Sequence, residues 1–194
     1  MRRTLGTVGA LALMTAGVVA CGSPSISDAN LGFTIVEGLL LVDPAVPEAA
    51  QVILASTSGN CHVLQQGAVV TQIGGTDFLT FELESLDSQL NLLPIDAGSY
   101  TITLPSATGP TSAGLYALSV EYETDLACNA SQTGAASGTV TVEPFHANPG
   151  GTSDVTYSVV FGYSRFKGSY PLSTCVTSID AGDTLDAGTC LPPQ

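Results

Sequence analysis

Apolar and polar residues alternate with period two through most of this chain, and no stretch sustains the spacing of an amphipathic helix. In segment 78–86, Leu79, Phe81 and Leu83 share one face, and Thr80, Glu82 and Glu84 the other. Tyr100, Ile102 and Leu104 alternate with Thr101 and Thr103. The clearest strand is 115–125, with Tyr116, Leu118, Val120 and Tyr122 as an apolar face. Ser119, Glu121, Glu123 and Asp125 form its solvated face. Val140 and Val142 repeat the pattern, as do Val155, Tyr157, Val159, Phe161 and Tyr163 on one long strand. Ser164–Phe166 reads as the turn into a strand through Tyr170 and Leu172. Clusters such as Gly74-Gly75, Gly109-Pro110 and Asn148-Pro149-Gly150-Gly151 punctuate the runs. Only Cys61–Gln66, before Gly67, reads as a helical turn. The pattern predicts an all-β fold, an antiparallel β-sandwich of about eight strands, with a β-barrel as the alternative.

Charge narrows the function classes. Seventeen acidic residues face four basic ones, for a formal charge of −13, and only 11% of residues are charged. A basic patch for nucleic acid is excluded. Mean hydropathy is +0.35, too apolar for an acidic disordered chain.

The N-terminus reads as an address. Arg2 and Arg3 precede an apolar run from Leu5 to Ala20, shorter than a comfortable membrane span. The run ends in Val18-Val19-Ala20-Cys21, which resembles the lipobox of bacterial lipoproteins. The resemblance implies that the Cys21 thiol takes a diacylglyceryl group, that cleavage follows Ala20, and that the new N-terminus is acylated. Several acyl chains make a durable anchor where one would not. Gly22, in place of the Asp that retains such proteins in the inner membrane, implies the bacterial outer membrane, with the domain facing periplasm or cell surface. The organisation expected is a signal peptide at 1–20, a flexible tether at 21–32 and a single β domain at 33–194. Loss of residues 1–20 removes Arg2 and Arg3, so the charge moves from −13 to −15, with Arg165 and Lys167 the Lys/Arg residues that remain. Lipid, not basic charge, would hold the protein at the membrane.

With Cys21 assigned to lipid, Cys61, Cys128, Cys175 and Cys190 remain, an even number that predicts two disulfides in an exported chain. Cys61–Cys175 with Cys128–Cys190 would tie chain ends across the fold; Cys61–Cys128 with Cys175–Cys190 would be more local. The first is preferred, because Cys175 closes a C-terminal hairpin and a bond back to an early loop would lock the sheet ends. Segment Gly138-Thr139-Val140-Thr141-Val142-Glu143, then Tyr157–Phe161, then Gly168-Ser169-Tyr170 ending at Cys175, resembles the closing hairpins of uncharacterised bacterial lipoproteins. That resemblance implies fold and location and brings no chemistry.

Catalytic signatures are few. G-x-S-x-G, C-x-x-C and H-E-x-x-H are missing, no S-x-x-K occurs with its partner motifs, and His62 and His146 are the only histidines. Glu82 and Glu84 on one strand, and Glu121, Glu123 and Asp125 on another, would form a hydrolytic pair or bind a cation if those strands were neighbours. The absence of tryptophan removes the usual sugar platforms. Asp180, Asp183 and Asp186, interspersed with glycines, form a weak calcium candidate that lacks the EF-hand pattern. Turn formation alone also explains them. The reading favoured is a non-enzymatic, lipid-anchored envelope protein, catalytic residues none, cofactors none unless calcium, with its protein or glycan partner open. The alternatives are an envelope hydrolase using carboxylates or histidine, and a calcium-binding adhesion-type module.

Overall fold

A computed structural model describes residues 27–29, 31–104, 109–177 and 189–192. Its strands are β1 (Ser27–Ala29), β2 (Glu37–Val42), β3 (Ala50–Ala55), β4 (Asp77–Leu86), β5 (Gly98–Ile102), β6 (Gly114–Thr124), β7 (Ala130–Gly134), β8 (Ser137–Val142), β9 (Thr152–Phe161) and β10 (Ser164–Val176). A short helix, α1 (Asn60–Leu64), and a 3-10 turn (Val70–Gln72) interrupt them.

The strands close on themselves. The order β10-β2-β3-β4-β6-β5-β8-β9 returns to β10, giving an eight-stranded barrel, with β1 and β7 outside the ring. This corrects the expected sandwich. It also corrects a purely antiparallel sheet, because β10 runs parallel to β2 and β5 parallel to β6. Alternation with polar turns specifies strands, and the same strands serve a sandwich or a barrel. Closure is decided by the parallel β10–β2 seam, which joins strands far apart in the chain and leaves no local sequence signal. Closure also removes the unpaired edges that an open sheet must protect.

The interior is a packed core. Leu40, Val52, Leu54, Leu79, Phe81, Tyr100, Val140, Val155 and Tyr157 point inward from successive strands and are buried. Eight strands leave room for side chains and little else. Phe81 and Tyr157 meet across it with ring centroids 5.7 Å apart.

A second apolar layer lies outside the barrel. Val63, Leu64, Ala68, Val70 and Ile73 cover Leu39, Ile53, Ala55 and Phe78 on the outer faces of β2, β3 and β4. That is why Leu39–Val42 and Val52–Ala55 are apolar at nearly every position: both faces are covered. Thr80, expected on a wet face, is buried here, and its hydroxyl donates to the Val120 carbonyl at 3.1 Å. The Glu37 carboxylate caps α1 from β2, accepting from the Asn60 backbone N–H at 2.9 Å and its side-chain amide at 2.7 Å. Among the described residues, disulfides Cys61–Cys175 and Cys128–Cys190 pin this layer. The first ties α1 to β10. The second ties the turn after β6 to the C-terminal segment, where Leu191 bridges Ile73.

Three local readings change. On β6 the faces are exchanged: Ala117 and Ser119 are buried and point inward, while Tyr116, Leu118, Val120 and Tyr122 face out, half-buried. The register explains it, since Ser119 sits opposite Phe81 and Ala117 opposite Leu83. A small barrel takes small residues beside large ones. The β9–β10 turn is Gly162-Tyr163, so Ser164–Phe166 is already strand and Tyr163 is 77% exposed at the tip. Ser27–Ala29, expected in the tether, pairs in parallel with Ser164–Phe166, and Leu31, Phe33 and Ile35 pack on the barrel core. Leu104 lies beyond β5 and is exposed.

Candidate functional site

β4 and β6 are neighbours, the condition under which their carboxylates would combine. The pairing places Glu82 opposite Leu118 and Glu84 opposite Tyr116, on the outer face. Glu121 is opposite Leu79, on the inner face. The two acidic sets therefore lie on opposite sides of the sheet, and no carboxylate pair forms between them.

A different acidic group assembles at the upper mouth of the barrel, the end that carries the β9–β10 turn. Glu123 is opposite Asp77, and Glu121 shares their face of the sheet. These three line a polar cavity of about 260 Å³ with Ser131 and Thr133 of β7 and Gly32 and Phe33 across the mouth. Asp77 is the member missed from sequence, because it opens its strand and belongs to no alternating acidic run. Burial, then the charges of Asp77 and Glu123, hold the Glu121 carboxyl above the ordinary carboxylate range. One step further in on the same face, Ser119 is fully buried, and its hydroxyl makes no hydrogen bond among the described residues.

The sign of the pH dependence follows. A carboxyl whose folded pKa is raised holds a proton the unfolded chain has already lost, so stability falls as pH rises from the ordinary carboxylate value through the raised one. Glu121→Gln removes that penalty. Its melting temperature should exceed the parent's at pH 7, and the gain should vanish near about pH 4, where the parent carboxyl is protonated. Thermal unfolding at both pH values checks this; an equal gain at both, or none at pH 7, contradicts it.

Asp125, expected beside Glu121 and Glu123, belongs instead to a loop brace. Its Oδ1 accepts from the backbone N–H groups of Ala127 and Asn129 at 2.8 and 2.9 Å, and its Oδ2 from the Asn129 side chain at 2.7 Å. Asp87 does the same with Gln89 and Asn91, at 2.7, 2.9 and 3.0 Å. The fourth residue of each loop takes a left-handed backbone, Leu90 at φ 64° and Cys128 at φ 59°. These hydrogen bonds, the Asn side chain's first, hold both aspartates below the ordinary carboxylate range. Asp-x-x-x-Asn is the sequence signal, and it was legible twice.

The histidines do not meet. His62 is exposed on α1, its Nε2 3.3 Å from the Gln66 side-chain nitrogen. His146 lies at the opposite, lower end, where its backbone N–H donates to Ser153 Oγ at 3.1 Å. Neither has a carboxylate partner among the described residues. There, too, no group of three or more His, Cys, Asp or Glu side chains converges as metal ligands. Cys21 and the aspartates Asp180, Asp183 and Asp186 lie outside the described residues.

Searches of protein-family models, curated proteins and solved structures returned no match. The chemistry must be read from this chain's own residues.

Proposed function

We propose that this chain is a lipid-anchored protein of the bacterial outer membrane whose barrel domain acts by binding or as a structural part of the envelope. The observation that carries the reading is Val18-Val19-Ala20-Cys21 behind a basic and apolar leader. Two disulfides support it, because such bonds persist in oxidising compartments outside the cytoplasm. The packed interior supports binding at the surface over an enclosed active site. Ser27, the first residue paired to the barrel, follows Cys21 by six positions. An extended link of that length reaches at most about 20 Å, so the domain would stay close to the bilayer.

Replacing Cys21 with serine tests the anchor. The parent should incorporate labelled palmitate and sediment with membranes. Cys21→Ser should take up no label, retain residues 1–20 and run more slowly on a gel. A variant that fractionates with membranes at the parent's mobility would overturn the assignment.

A further inference from the structure

The helical layer covers only the upper part of the outer wall formed by β2, β3 and β4. Below it, Leu41, Ala49 and Gln51 floor a groove of about 330 Å³, with Leu92 beside them. Four carboxylates surround that floor: Asp43 and Glu48 from the β2–β3 loop, and Glu82 and Glu84 from β4. Leu92 is 55% exposed at the groove's edge. The four like charges around this groove repel one another, and a complementary cation would relieve that repulsion.

No lysine or arginine of the described residues lies beside these carboxylates. Among the described residues the chain's Lys and Arg side chains are Arg165 and Lys167, opposite Val160 and Ser158 in the upper half of β10. The groove lies at the lower end, where β2, β3 and β4 meet their loops. Nor do the four carboxylates converge as metal ligands. Negative charge spread around an apolar floor suits several separated cations with a hydrophobe between them, and does not suit one ion.

We propose that this groove docks a segment of a partner protein in which an apolar side chain is flanked by lysine or arginine. The proposal deepens the reading of the domain as a binding module and is independent of how the chain is anchored. The apolar side chain would cover Leu41 and Leu92, and the flanking cations would reach Glu82 and Glu84 on one side and Asp43 and Glu48 on the other. Partial desolvation against the wall, then the charge of Glu84, holds the solvent-facing Glu82 carboxyl above the ordinary range, a condition that an incoming cation relieves.

The test is a titration of the purified full chain, in non-ionic detergent, with the capped tripeptide Lys-Leu-Lys, followed by backbone amide resonances. Saturable shifts at Leu41, Glu82, Glu84 and Leu92 are expected, and binding should weaken severalfold from about 20 to about 200 mM salt. Glu82→Gln with Glu84→Gln should weaken it about fivefold to tenfold. Leu92→Ser should weaken it about tenfold, and Lys-Ser-Lys should bind as poorly to the parent. These substitutions alter exposed side chains, and unchanged melting confirms that each variant is folded. Absence of saturable shifts, shifts confined to Asp77, Glu121 and Glu123, or parental affinity in the glutamine variant would each overturn the proposal. Concentration-dependent shifts of the same amides without peptide would also overturn it, by assigning the face to a second copy. Loss of the anchor in Cys21→Ser leaves this titration unaffected, so the two readings fail separately.

Discussion

Replacing Cys61 and Cys175 together with alanine should lower unfolding stability by about 4 kcal/mol. The bond spans 114 residues, so its loss releases a long stretch of the unfolded chain. Cys175 is fully buried against Leu39 and Ile53, and alanine avoids stranding a hydroxyl there. The two disulfide intervals interleave, 61–175 with 128–190, so each bond shortens the loop that the other closes. The effect should therefore persist, somewhat reduced, with Cys128–Cys190 intact. The chain has no tryptophan, so urea unfolding is followed by far-ultraviolet circular dichroism. A midpoint displaced by less than about 1 kcal/mol would show that packing alone holds α1 against β10.

Phe81→Ala should cost about 3–5 kcal/mol. Phe81 is fully buried, lies opposite Ser119 and meets Tyr157 across the barrel. Its neighbours sit on strands hydrogen-bonded on both sides, so the wall cannot move in to fill the space. Tyr163→Ala removes an aromatic ring of the same size from a site 77% exposed and should change stability by less than about 0.5 kcal/mol. Similar losses in the two variants would contradict the assignment of Phe81 to a rigid interior.

Strands such as β4, β8 and β9 were legible because each carries its own alternation, and Leu79, Phe81 and Leu83 point inward as their spacing implies. β6 was legible as a strand but its inward face was not, because both of its faces hold residues that pass for a core. Tyr116, Leu118, Val120 and Tyr122 are the more apolar set, yet Phe81 and Leu83 on the neighbouring strand leave room inside only for Ser119 and Ala117. A choice fixed by a neighbour's bulk cannot be read from the strand itself. Closure was hidden for the same reason, since the β10–β2 seam joins Ser173 to Leu39 across most of the chain. The candidate site divides likewise. The carboxylates are plain in the sequence, whereas the face each occupies depends on register. That dependence separates Glu82 and Glu84 from Glu121 and brings Asp77 to the mouth.

The β10–β2 seam also sets the order of events during synthesis. β10 is the last strand of the ring and pairs with β9, β2 and β1. Until residue 176 has left the ribosome, β2 and β9 each present an open edge, and the apolar lining between them is exposed to water. A chain made without its final strand has no closed state to reach. Emergence of β10 therefore acts as the trigger for folding. Premature termination before β10 leaves a sticky open sheet and no smaller version of the same barrel.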